Sequence, residues 1–126
     1  MGDADQVTLI GAEVTLHASL GAAQRLDAEG VGARVIDAYS LQPIDAATIA
    51  AAVRATGGRV VVAEDHHPGG GLGSAVVEAL VARGAADLRI AHLAVREMPG
   101  SGSGEELLAW AGVDADQVAL AARRLL

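Results

Sequence analysis

The sequence predicts a three-layer α/β/α domain around a mainly parallel, four-stranded sheet, and three observations carry that expectation. Short apolar runs alternate with segments of helical spacing, as in repeated βαβ units. Val60, Val61, Val62 and Ala63 form an apolar run without polar alternation, the pattern of a strand covered on both faces. Glycines stand where the helices should stop, at Gly30, Gly57, Gly58 and Gly84, since glycine takes up a left-handed helix end without steric cost. Right-handed crossovers then put helices on both faces of the sheet.

The first strand is expected over Gln6 to Gly11, with Val7, Leu9 and Ile10. A helix from Thr15 to Glu29 follows, with Leu16, Leu20, Ala23 and Leu26 near one face. Ala33 to Asp37 gives the second strand. The chain then crosses through Tyr39 to Pro43 to a helix that Asp45 caps through its side-chain oxygen, with Ile44 and Ile49 placed for a hydrophobic staple. After Gly57 and Gly58 comes the third strand, whose exit into solvent Glu64 and Asp65 should mark. Pro68 cannot donate to a ladder and the glycines after it permit tight turning, so pairing stops there. From Ser74 the spacing of Val76, Val77, Leu80 and Val81 is helical, and the fourth strand lies around Leu88 to Leu93. Arg96 to Gly104 reads as a loop. Ser103 and Glu106 have capping-box spacing for a short helix carrying Leu107, Leu108 and Trp110, and Asp114 can cap a last helix with Val118, Leu120 and Leu125 as apolar contacts. Arg123 and Arg124 suit the negative end of that helix.

The 126 residues make about one domain, spanning 1–126. With 2% aromatic residues and no phenylalanine, the core is aliphatic. A net charge of −7 and the absence of lysine argue against nucleic acid, because phosphate binding needs clustered cations. No cysteine is available for disulfides or thiolate chemistry. No apolar run approaches bilayer length and no signal peptide precedes the first strand, so the expectation is a cytoplasmic protein without a membrane partner. The polar, abrupt start from Met1 to Gln6 fits a domain cut from a longer chain.

Any chemistry should sit where the third strand runs into the next helix, because ligands and partners meet open α/β sheets at the carboxyl ends of strands. The candidates there are Glu64, Asp65, His66, His67, Gly70, Gly71, Gly73 and Ser74. One reading is an anion or nucleotide cradle, since amides at a helix start carry partial positive charge. The fit to a dinucleotide fingerprint is poor, with Ser74 at the third small position and no Gly-Lys-Ser or Gly-Lys-Thr for a P-loop. A second reading is a metal or acid–base site at Asp65, His66 and His67. Adjacent strand residues point in opposite directions, and no spaced second group of ligands is evident. The plainer reading is a contact surface over close helix-to-sheet packing. His17 and His92, each beside apolar residues, read as packed or hydrogen-bonded, and Ser74 lacks the setting of a nucleophile elbow.

Taken together, Val7-Thr8-Leu9-Ile10-Gly11-Ala12, Val14-Thr15-Leu16-His17, Asp37-Ala38-Tyr39-Ser40-Leu41-Gln42-Pro43-Ile44-Asp45, Val62-Ala63-Glu64-Asp65-His66 and Gly70-Gly71-Leu72-Gly73-Ser74-Ala75-Val76 resemble the C-terminal, third domain of the transketolase family. His92-Leu93-Ala94-Val95 and Glu105 through Asp114 are similar as well, so the likeness covers nearly the whole chain in order. It is closer to the shorter, animal-like and actinobacterial-like transketolases than to deoxyxylulose-phosphate synthases or 2-oxoacid dehydrogenase E1 β-subunits, which share the glycine turn. Pro68, Gly69 and Gly100 depart from the animal-like pattern.

The resemblance implies ketol transfer between sugar phosphates by a homodimeric parent enzyme using thiamine diphosphate and Mg2+. It implies that the upstream pyrophosphate and pyrimidine domains hold the cofactor, that this domain binds none and supplies no catalytic residue, and that its work is domain packing and subunit assembly. It also implies a strand order of second, first, third, fourth. The antiparallel strand usual ahead of the first parallel one falls before this chain's start, leaving an exposed edge for association.

Overall fold

A computed structural model describes residues 5–12, 14–38, 46–64, 71–85, 87–94 and 114–126. Four strands, β1 (Asp5–Gly11), β2 (Gly32–Asp37), β3 (Arg59–Ala63) and β4 (Arg89–Leu93), alternate with α1 (Val14–Ala28), α2 (Ala46–Ala55) and α3 (Leu72–Ala82), and α4 (Ala115–Leu125) closes the chain. The strands lie in the order β2-β1-β3-β4 and every pairing is parallel. Both the fold class and the strand order expected from the sequence are therefore found.

Alternation along the strands divides the core in two. Val7, Leu9, Val61 and Ala63 point to the face covered by α1 and α4. Ile10, Val60 and Val62 point to the face covered by α2 and α3. Thr8 shares that second face, and its hydroxyl is satisfied by the Ala52 carbonyl at 3.1 Å and the Thr56 hydroxyl at 2.7 Å. Each fully buried Val, Leu or Ile contributes roughly 1.5–3 kcal/mol relative to exposure.

One helix turns a different face inward from that expected, and a second buries half of its apolar row. In α1, Thr15, Ala18, Ser19, Ala22 and Leu26 are buried, whereas Leu20 is 45% exposed and His17 lies in solvent rather than packed. Small side chains let this helix sit close to its neighbours, since a Cβ at Gly21 would stand 3.2 Å from that of Ala115 in α4. In α3, Val76 and Leu80 are buried with Gly73 and Ala79, while Val77 and Val81 face outward. Asp114 caps α4 as expected, accepting from the Gln117 amide at 3.0 Å, and Val118 is buried while Leu125 packs at the core's rim. Leu120 is half-buried, because the inner face of α4 is completed by Ala119, Ala121 and Ala122. Asp45, Ile44, the Arg96 to Gly104 loop and the short helix around Trp110 lie outside the described residues.

The amino end of the sheet is closed by tight turns. Gly58 has φ +81, and a Cβ there would run into the Asp87 carbonyl oxygen; Gly30 has φ +82 with open space around it. Gly30→Ala should therefore cost about 1 kcal/mol from the left-handed backbone alone. Gly58→Ala should cost about 2 kcal/mol or more, because the Asp87 turn must also move. Paired urea titrations of the two variants check the difference.

On the surface, Arg123 donates to Glu29 through Nε at 2.8 Å, and Arg25 pairs with Asp116, so α4 is tied to α1 and to the turn after it. The Arg123 hydrogen bond holds the Glu29 carboxyl below its ordinary value. The contribution of this pair is thus present above the unfolded carboxylate range near about pH 4 and lost as pH falls through the folded value. Both groups are exposed, so the effect is small and screened by salt. Thermal melts of wild type and Arg123→Ala should differ slightly at neutral pH and converge at acid pH.

Candidate functional site

β3 ends at Ala63, and the next residue does not leave the protein. Glu64, expected to mark the exit into solvent, is 2% exposed. Its amide stays on the sheet, donating to the Leu93 carbonyl at 2.9 Å, which extends the β3–β4 ladder and turns the side chain toward the start of α3. There Oε1 accepts from the Leu72 amide at 3.0 Å and Oε2 from the Gly73 amide at 2.8 Å. The first amides of a helix have no partner within it and carry partial positive charge. An internal carboxylate thus does what a capping side chain would, and Gly71, the residue before the helix, makes no side-chain cap of its own. This explains why α3 begins at Leu72 rather than at Ser74.

His92 of β4 completes the arrangement, its Nε2 in contact with Glu64 Oε2. A carboxylate withdrawn from water is tolerable only when its lone pairs are met, and two amides with one imidazole meet those of Glu64. The space for that imidazole exists because position 73 is glycine: a Cβ there would overlap the ring. His92 is hydrogen-bonded, as its apolar neighbourhood suggested. Its side chain is 24% exposed and forms one wall of a shallow depression of about 340 Å3, lined also by Gly73, Ser74, Val77 and Glu78.

Of the sequence candidates, the structure brings Glu64 and Gly73 together and places Gly71 and Ser74 at the same helix start. Asp65, His66, His67 and Gly70 lie outside the described residues. His92, read from the sequence only as a packed side chain, is the member of the cluster that sequence reasoning left out. No signal within either segment links it to a carboxylate 28 positions away.

The geometry at the start of α3 does not favour the anion-cradle reading. The Leu72 and Gly73 amides that would receive a phosphate are already filled by the Glu64 carboxylate, whose charge would repel one. A pyrophosphate or its metal fits poorly here for the same reason, and among the described residues no three His, Asp or Glu side chains converge to hold a metal.

Comparison with known proteins now bears on the chain. Residues 2–118 match the family described as "Transketolase, C-terminal domain". The chain belongs to the transketolase C-terminal domain family. It is 45% identical to human transketolase over 122 residues, which is 97% of this chain and 19% of the human protein. Transketolase-like protein 1 of Bos taurus is 41% identical over 97% of this chain and 20% of its own length. The transketolase C-terminal domain described here thus spans about one fifth of the curated relatives it matches. Among solved structures, a "Split gene transketolase, inactive beta4 tetramer" aligns over the whole chain with a TM-score of 0.87 and 36% identity, covering 40% of that protein's chain. No helix among the described residues of the domain is long and apolar enough to cross a membrane.

Proposed function

We propose that this chain is the non-catalytic C-terminal domain of a cytoplasmic, homodimeric transketolase-type enzyme. The parent enzyme transfers ketol groups between sugar phosphates with thiamine diphosphate and Mg2+. The domain's work is to pack against the pyrophosphate and pyrimidine domains and to extend the subunit interface. The observation that carries this reading is the inward commitment of the ligand end of the sheet. Where open α/β proteins present helix amides to a ligand, this chain spends them on Glu64. The family likeness along the chain, and the one-fifth share of human transketolase it spans, agree with a supporting unit of a larger enzyme.

Calorimetric titration with thiamine diphosphate and Mg2+ tests the proposal. The expected result is no heat of binding with the chain alone, and binding once the remaining polypeptide of the parent enzyme is added. Cofactor binding or ketol transfer by the isolated 126-residue chain would overturn it.

A further inference from the structure

The outward face of α3 is the feature that the fold itself leaves unexplained. Val81 is 66% exposed, the most exposed of the described large apolar side chains, and Val77, one turn earlier on the same face, is 39% exposed. The other helices show solvent mostly charged or polar side chains, Gln24, Arg25 and Asp27 on α1, Arg54 on α2, and Asp116, Gln117, Arg123 and Arg124 on α4; Leu20 of α1 is exposed as a single apolar side chain, whereas Val77 and Val81 form a row. Val77 also forms part of the wall of the depression between α3 and the edge strand β4, so the apolar row runs directly into a concavity. Glu78 is the charged carboxylate on that wall, and His92 stands opposite, held by Glu64.

We propose that this groove and the Val77–Val81 row are where the remaining polypeptide of the parent enzyme packs, a proposal that rests on the supporting-domain reading above. The chain amounts to 19% of human transketolase, so most of such an enzyme lies outside it and needs a surface on which to seat the domain. The partner segment presents an apolar side chain that enters the depression beside Val77, next to a cation that meets Glu78. An apolar contact with one charge pair at its edge has the usual anatomy of a protein interface. Capture of a small molecule is a poorer fit, because the depression is shallow and its polar groups are few.

The chain has no cysteine, which permits a clean labelling test. Val81→Cys places a single thiol on the proposed face, and Arg124→Cys places one on α4 as a control. Maleimide labelling rates are measured for each chain alone and after mixing with the remaining polypeptide of the parent enzyme, with complex formation followed separately by sedimentation. The expected result is at least tenfold slower labelling of Val81→Cys in the complex and no change for Arg124→Cys. In parallel, Val81→Arg should weaken the complex at least tenfold while leaving the melting temperature of the free domain unchanged. A complex in which Val81→Cys labels as fast as in the free chain overturns the assignment of this face and leaves the supporting role standing. Absence of any complex overturns both. Protection in the chain alone, rising with its concentration, overturns the proposal in favour of a second copy as the occupant.

Discussion

Replacing Glu64 with alanine should destabilise the domain by about 4 kcal/mol. The carboxylate satisfies two amides at the start of α3 and contacts the imidazole of β4. Removing it leaves those donors unmet inside the protein, at about 1–3 kcal/mol for each buried group left without a partner. Glu64→Gln keeps one acceptor oxygen but turns an NH2 group toward a donor, so about 2 kcal/mol is expected. Urea denaturation of the three proteins checks the order. A more selective readout is chemical rescue: formate should raise the melting temperature of Glu64→Ala and leave wild type unchanged, since only the variant has an open space lined by amides. Equal stability of Glu64→Ala and wild type would mean that the helix start finds other partners.

The second large effect is expected at Gly73. A methyl group there meets the His92 ring rather than space. Overpacking costs about 1–3 kcal/mol, and pushing the imidazole away also loosens its contact with Glu64. Against this, alanine is favoured over glycine in a helix by about 1 kcal/mol. The steric penalty wins, and Gly73→Ala should destabilise by about 1–2 kcal/mol, with Gly73→Val worse. The decisive comparison is a double-mutant cycle. In a His92→Ala background the ring is gone, the clash with it, and Gly73→Ala should become neutral or mildly stabilising, a coupling of about 2 kcal/mol. Additive effects of the two changes would show that the glycine is required for some other reason.

Much of the architecture was legible because it rests on local chemistry. The unbroken Val60 to Ala63 run, the stops at Gly30, Gly57, Gly58 and Gly84, and the Asp114 cap each state their role within a few residues. What was not legible depends on which of two apolar faces turns inward. In α1 a row of leucines suggested the buried side, yet the helix turns mostly Ala, Ser and Thr inward, because close packing on the sheet and α4 favours small side chains over large ones. In α3 both Val76 and Val77 are apolar, and periodicity cannot say which of them meets the sheet. The candidate site was half legible for a related reason. Its place, the exit of β3, follows from topology, but an acid at the end of a strand reads as a solvated residue unless one knows that amides eight and nine positions later return to it.

That return has a consequence beyond stability. A helix start left bare projects a local positive potential, and anions drifting by are drawn toward it. Here Glu64 cancels that potential from inside, so the far field of the domain is set by its net charge of −7. To a diffusing phosphate ester the domain is a weakly repulsive wall whose reach is about 8 Å at physiological ionic strength. Attached beside an anion-binding cleft, it would discourage unproductive encounters on its own surface and leave attraction to the cleft alone.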